Sequence, residues 1–212
     1  HGEGHPMNPM VNAGALATTG LVPGDTDDAR WDFLVHGLSR FAGRALDVDE
    51  EVYRSESRTS RHNEGLASLL ASHGRLHGDP GAVVDLYTRQ CALRVDAHDL
   101  AVMGATLANG GVNPSTGERV VEAGMARDAL SVVASTGMYE RSGEWLFEVG
   151  VPAKSGISGG IVMMSPGKGA VAAFSPRLDD AGNSVRGRRA GALLSRALGL
   201  DLFASRPAGT RS

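Results

Sequence analysis

An α+β fold is what this sequence predicts, and three observations carry the prediction. Apolar residues recur at helical spacing from Asn12 to about Ser135, and the period then switches to two between Trp145 and Ser175. The strand-like stretches also follow one another through short connections, which favours antiparallel pairing over a parallel sheet of alternating strands and helices.

Taken in order, Asn12 to Leu21 is alanine-rich and helical until Pro23-Gly24 breaks it. Asp25 or Thr26 caps the next helix, in which Trp31, Leu34, Val35, Leu38 and Phe41 form one stripe up to Gly43. Residues 45–60 are acidic and polar without periodicity, which predicts a loop, and loops often carry function. Leu66, Leu69 and Leu70 mark a helix from Arg61 to Gly74. Asp79-Pro80 reads as a cap followed by proline at the first helical position, with Val83, Leu86, Tyr87 and Cys91 on the apolar face. Asp96 and Asp99 introduce Leu100, Met103 and Leu107, and Asn109-Gly110-Gly111 stops that helix. A turn at 113–117 and a short extended piece at Val120 and Val121 lead into a helix from Glu122 to Ser135, closed by Gly137.

Trp145–Val149, Ser158–Met164 and Ala170–Ser175 then read as three strands, the last two joined by a hairpin at Ser165–Gly169. After a turn at Asp179–Gly182, Asn183 or Ser184 caps a final helix through Leu200, with Val185, Ala190, Leu193, Leu194, Ala197 and Leu198 toward the core. Residues 204–212 are expected to be disordered. Three strands make a marginal sheet alone. The chain opens at His1, inside a motif-like phrase, so an upstream segment that supplies more strands is expected.

The bulk composition narrows the function classes. With 212 residues, 21% charged, 42% hydrophobic and a formal net charge of −3, the chain is long enough for a sizeable core and carries no basic excess for nucleic acid. The arginines between Arg186 and Arg211 read as a solvated helix face and tail. No apolar run approaches the roughly 18 residues of a membrane helix. The single Cys91 fits a reducing compartment, so a cytoplasmic setting is expected.

Four pattern matches carry bland readings. Gly156-Ile157-Ser158-Gly159-Gly160 fits the nucleophile elbow G-x-S-x-G, but that elbow needs a helix after the serine and a strand-like run follows here. Ser165-Pro166-Gly167-Lys168 fits S-x-x-K, but proline and glycine between the pair remove the helical turn that would align them. The histidines show neither H-E-x-x-H nor a cysteine partner, and His73 and His77 straddle Gly74, so no metal is expected. Asn12, Glu56, Asn63, Tyr87 and Tyr139 stand out as polar residues at element ends and edges, where each also has an ordinary structural reading.

Seven phrases together carry a resemblance. Asn8-Pro-Met-Val-Asn12-Ala-Gly-Ala15, Ser55-Glu56 with Asn63, Asp85-Leu-Tyr87 with Cys91, Asp99-Leu-Ala-Val-Met103 with Asn109-Gly-Gly111, Gly137-Met-Tyr139, Val149-Gly-Val-Pro-Ala-Lys154-Ser-Gly156 with Gly159-Gly160, and Ser175-Pro-Arg-Leu-Asp179 with Asn183-Ser184 resemble the serine-dependent glutaminase family, from about residue 6 to about 200. The resemblance implies a β-lactamase-like, DD-peptidase-like fold: an antiparallel sheet flanked by helices plus a helical subdomain. Residues 1–203 would then be the C-terminal portion of a glutaminase catalytic domain. It implies hydrolysis of L-glutamine to L-glutamate and ammonia through a glutamyl-enzyme ester, with no metal or organic cofactor. Carried over, Asn12, Glu56, Asn63, Tyr87 and Tyr139 look like substrate contacts, and Ile157 like the residue whose backbone meets the reacting amide. The family's nucleophile is the serine of an S-x-x-K helix that precedes the Asn-Pro phrase, so an upstream N-terminal segment of the same protein is an expected partner. A homo-oligomer is expected as well.

On that resemblance, Glu56 supplies the anion for the substrate ammonium. Asn12, Asn63 and the Tyr87 hydroxyl share the α-carboxylate in an open division. The Ile157 N–H donates to the tetrahedral oxyanion, Tyr139 carries a proton between the serine and the departing ammonia, and Lys154 gives electrostatic support, its Lys-Ser-Gly resembling the Lys-Thr-Gly strand of penicillin-binding enzymes. Two rivals remain: a penicillin-recognising acyl enzyme of the same fold, in which Glu56 has no use, and a non-catalytic half-domain that binds an amino acid.

Overall fold

The structure is a computed structural model that describes residues 8–204, so the expected disordered tail lies almost wholly outside the described residues. The chain divides after Asp96 into two compact units.

The first unit is helical: α1 (Asn12–Thr19), α2 (Asp27–Ala42), α3 (Glu50–Arg58), α4 (Arg61–Ser72) and α5 (Pro80–Cys91). Leu16 of α1, Ala67 and Leu70 of α4, and Val83 and Val84 of α5 make its core, with Tyr87 packed at the margin. Thr26 caps α2 through a hydrogen bond from the Ala29 N–H, and Gly43 ends it in the left-handed conformation. Arg30 fastens the preceding turn by donating to the Val22 and Gly20 carbonyls at 3.0 and 2.8 Å.

The loop expected over residues 45–60 is a correction: Glu50–Arg58 is the helix α3. Its signal is electrostatic. The Asp49 carboxylate accepts from the Glu51 and Val52 N–H groups at 3.1 Å, two glutamates occupy the positive first turn, and Arg58 sits in the negative last turn. No residue of α3 is buried, so no apolar stripe announced it. Tyr53 ties it to α5 by donating to Asp85 at 2.5 Å.

The second unit contains α6 (Ala97–Ala108), α7 (Ala123–Thr136), a 3-10 turn at Tyr139–Arg141, α8 (Ser142–Val149), β1 (Ala153–Ser155), β2 (Gly160–Ser165), β3 (Gly169–Phe174) and α9 (Val185–Leu198). The strands form an antiparallel sheet in the order β1-β2-β3, with Lys154 opposite Val162 and Met163 opposite Val171. Alternation along β2 sends Ile161 and Met163 to one face, where Trp145, Val149, Val151 and Leu200 bury them. Val162 and Met164 face α6, which closes on the sheet at Gly104: a β-carbon there would lie 2.7 Å from Val162 Cγ2.

Two further expectations are corrected. Trp145–Val149 belongs to a helix, not a strand. A strand would put residues 145, 147 and 149 on one face, whereas Trp145 and Val149 are buried and Phe147 is 92% exposed. The Trp145 indole donates to the Val151 carbonyl at 2.7 Å, and Gly150 stops the helix at a φ of 71°. On α9 the buried residues are Gly187, Gly191 and Ser195, while Ala190, Leu193, Ala197 and Leu198 are exposed. A β-carbon at Gly191 would stand 2.5 Å from the Met163 sulfur and 3.0 Å from Trp145, so this helix buries its smallest residues to come close. Ser184, and not Asn183, is its cap, accepting from the Gly187 N–H at 3.0 Å.

The edge strand β1 is held by the end of α7, where the Ser155 N–H donates to the Gly137 carbonyl at 3.0 Å. A β-carbon at Gly137 would lie 2.0 Å from the Ala153 carbonyl oxygen, which is backbone and cannot swing aside. Gly137→Ala should therefore lower stability by about 1–3 kcal/mol through overpacking, read as a fall in the urea midpoint at unchanged slope. Gly143→Ala, with nothing within 4 Å of its β-carbon, should match or exceed the parent.

Candidate functional site

In the first unit the helix ends gather the polar residues singled out from sequence. Asn12 is the first residue of α1, Asn63 lies in the first turn of α4, and Tyr87 lies on α5. Asn12 Nδ2 donates to Asn63 Oδ1 at 2.9 Å, and the Tyr87 hydroxyl donates to Asn12 Oδ1 at 3.5 Å. Among the described residues no side chain caps α1 at Val11 or α4 at Ser60, and this amide pair lies in the first turns of both helices. The positive ends of two helix dipoles therefore lie beside the amide pair.

Glu56 is exposed on α3, one helix away from the loop position expected for it. It joins the others through Cys91 at the end of α5. Desolvation raises that thiol above its ordinary value, a hydrogen bond with Tyr87 works against the rise, and the nearby Glu56 charge adds to it. Asn12, Asn63 and Tyr87 are thus joined by hydrogen bonds, and Glu56 reaches their neighbourhood through its charge on Cys91.

In the second unit, Tyr139 has a φ of 54° and is the one residue other than glycine in the left-handed region among the described residues. That conformation costs roughly 1–2 kcal/mol for a residue with a β-carbon. Its hydroxyl donates to the Ser155 carbonyl at 3.1 Å. The Lys154 amine donates to the same carbonyl and lies 4.6 Å from the centroid of the Tyr139 ring. Burial lowers Lys154 from 10.5 to about 8, and burial followed by the Glu140 charge raises Tyr139. A phenol and an ammonium made more acidic by burial thus converge on one backbone oxygen.

Ile157 sits next to this pair, in the turn between β1 and β2, with its side chain 77% exposed. The turn is closed by Gly156 N–H to the Gly160 carbonyl and Gly159 N–H to the Gly156 carbonyl, both 2.9 Å, and no hydrogen bond within the described residues uses the Ile157 N–H. Gly159 is required here: its φ is 101°, and a β-carbon would lie 2.5 Å from Pro176 Cα.

The rejected pattern matches stay rejected on geometry. Ser158 is exposed in a turn followed by β2, not by a helix. Ser165 is buried and donates to the Leu200 carbonyl at 2.7 Å, while Lys168 donates to Gly199 at the far side of a hairpin turn. What the sequence understated is Lys154. Its inclusion in an apolar-flanked strand end, Val149 to Ile161, was the available sign that it would be buried.

Comparison with known proteins places these features in a context. The family model described as Glutaminase matches residues 1–203. Glutaminase 2 of Yersinia pestis is 58% identical over 200 residues, which cover 94% of this chain and 59% of that protein. The solved structure of a probable glutaminase, YbaS, superposes with a TM-score of 0.93 at 43% identity, covering 96% of this chain and 66% of that one. A second, Mglu in its glutamate form, gives 0.90 at 46% identity, covering 96% and 47%. The chain therefore spans about six tenths of the length of the curated relative it matches.

The Lys154 environment gives a pH test of the geometry. A lysine held near 8 in the fold and 10.5 when unfolded keeps its proton longer in the unfolded chain, so stability should rise as pH climbs from about 8 toward 10.5. Urea midpoints across that interval should show this rise, and Lys154→Met should lack its share of it.

Proposed function

The chain belongs to the glutaminase family, and on that premise we propose that the full-length protein hydrolyses L-glutamine to L-glutamate and ammonia through a seryl ester, the serine coming from a segment upstream of His1. The observation that supports this most is the Ile157 N–H, used by no hydrogen bond among the described residues, in the turn that follows the Ser155 carbonyl on which the Tyr139 hydroxyl rests. Together they offer an oxyanion donor and a proton-transfer group on one edge of a sheet.

In this reading the serine oxygen attacks the side-chain amide carbon. The negative charge that develops on the amide oxygen is met by the Ile157 N–H and by the nucleophile's own N–H. The serine proton passes through Tyr139 to the departing nitrogen, which leaves as ammonia, and water then cleaves the ester by the reverse relay. Lys154, partly buried against the phenol ring, stabilises the negative charge that Tyr139 carries in transit. Glu56 binds the substrate ammonium, and Asn12 and Asn63, at the positive ends of α1 and α4, bind the α-carboxylate together with Tyr87. A penicillin would leave Glu56 without a partner. Hydrolysis of a chromogenic β-lactam without ammonia release from glutamine would overturn the ranking.

Three substitutions in the full-length protein test the roles. Glu56→Gln should raise KM for glutamine about tenfold to a hundredfold, the worth of one charge-assisted hydrogen bond, and unchanged kinetics would remove Glu56 from the site. Tyr139→Phe should lower kcat with little change in KM. Ile157→Pro, which deletes the proposed donor, should lower kcat by about a hundredfold or more in protein that circular dichroism shows to be folded.

A further inference from the structure

Tyr139 can hand on a proton only if its ring is held where it is, and its own backbone works against that. The φ and ψ of a residue are the rotations between the two peptide planes that flank it, so fixing both planes fixes the residue. Each plane beside Tyr139 is gripped by a different side chain. On one side Ser142 Oγ donates to the Tyr139 carbonyl at 2.7 Å and accepts from the Met138 N–H at 3.0 Å. On the other, Asn183 Nδ2 donates to the Met138 carbonyl at 3.3 Å, across 45 residues of sequence.

Asn183 is fully buried, yet its Oδ1 has no hydrogen-bond partner. A buried carboxamide with an orphaned oxygen is a poor contributor to stability, since an apolar residue of similar size avoids the desolvation penalty. The single bond it makes is the one that grips the Tyr139 peptide. Its own position is well fixed: the Asp179 carboxylate accepts from the Asn183 and Ala181 N–H groups at 2.9 and 3.1 Å, and Arg188 and Arg141 hold that carboxylate at 3.1 and 3.6 Å. The same turn carries Gly182, at a φ of 91°. A β-carbon there would sit 3.6 Å from both Tyr139 Cε2 and Ile157 Cγ2, so the turn backs the two residues proposed for proton transfer and oxyanion binding.

We propose that Asn183 is a positioning residue for Tyr139, holding the Met138–Tyr139 peptide so that the left-handed tyrosine keeps its hydroxyl on the Ser155 carbonyl. This rests on the proton-transfer role read for Tyr139. Its effect reaches the reaction only through that residue, which separates it from a general packing role.

The test is a double-mutant cycle in the full-length protein with glutamine as substrate. Asn183→Ala should lower kcat about tenfold or more with KM changed less than about threefold, and in a Tyr139→Phe background the same change should cost less than about twofold. An equal loss in both backgrounds overturns the proposal. Ser142→Ala, which removes the side-chain grip on the other plane and leaves the Ser142 N–H on the Tyr139 carbonyl, should show the same non-additivity and serves if Asn183→Ala does not fold. Tyrosine-specific 13C NMR gives a readout apart from turnover. The Tyr139 signal, assigned by its loss in Tyr139→Phe, should shift or broaden in Asn183→Ala while those of Tyr53 and Tyr87 stay in place, and an unmoved Tyr139 signal overturns the proposal. Wild-type protein that releases no ammonia from glutamine, but whose Tyr139 signal responds in this way, would refute the glutaminase reading and leave the positioning role standing.

Discussion

The second unit depends on close approach of helices to a small sheet. α9 meets β2 through Gly187 and Gly191, and α6 meets the other face through Gly104. A three-stranded sheet is marginal by itself, and here both faces of its central strand are covered at distances that allow no side chain at the crossing points. Ile161 and Met163 are consequently 2% exposed, and burial of that kind stabilises by about 1.5–3 kcal/mol per large side chain. The Ser195 hydroxyl, donating to the Val149 carbonyl at 2.9 Å, and the Ser165 hydroxyl on the Leu200 carbonyl satisfy the polar groups that such tight contact removes from water.

That constraint fixes the edge strand, and the edge strand fixes the Tyr139 and Lys154 side chains. β1 is three residues long, with Ala153 and Ser155 pointing toward the α8 and α9 side and Lys154 toward the other. Its Ser155 carbonyl takes both the Tyr139 hydroxyl and the Lys154 amine. An oxygen paired within a deeper strand would be occupied by the ladder. One near the strand end, where the chain leaves for the turn at 156–159, remains open to side chains. The same departure frees the Ile157 N–H. Site and strand terminus are one feature.

Much of this was readable in the residues, and the failures share a cause. Helices α1, α2, α4, α5, α6 and α7 were legible because caps, stops and apolar stripes agreed. α3 was not, because Asp49, Glu50, Glu51 and Arg58 build it from charge and leave no stripe. In α8 the order Trp145-Leu146-Phe147-Glu148-Val149 offers two periods at once, and only burial decides between them. The core face of α9 was misread because hydrophobicity pointed to Leu193 and Leu198, whereas packing there demands the smallest residues. Asn12, Glu56, Asn63, Tyr87, Tyr139 and Ile157 were named through phrases resembling a family, since single polar residues carry no periodic signal. The strain at Tyr139 was beyond sequence, because it arises from contacts made across the fold.

The groups proposed for recognition and those proposed for proton transfer differ in how far each is exposed to solvent. In the first, Glu56 and the uncapped ends of α1 and α4 present opposite charges that are largely open to solvent, so each interaction is weak until a ligand displaces water. In the second, the charged group is a lysine already desolvated enough to fall to about 8. Recognition of a zwitterionic amino acid can rest on exposed groups, because binding itself supplies the desolvation that strengthens them. Proton transfer cannot wait for that: its groups must be oriented before the substrate arrives, since reorganising them during the reaction would add to the barrier. The strained Tyr139, its two gripped peptide planes and the half-buried Lys154 have the fixed geometry that such preorganisation requires, whereas the residues proposed for recognition sit on the surfaces of helices.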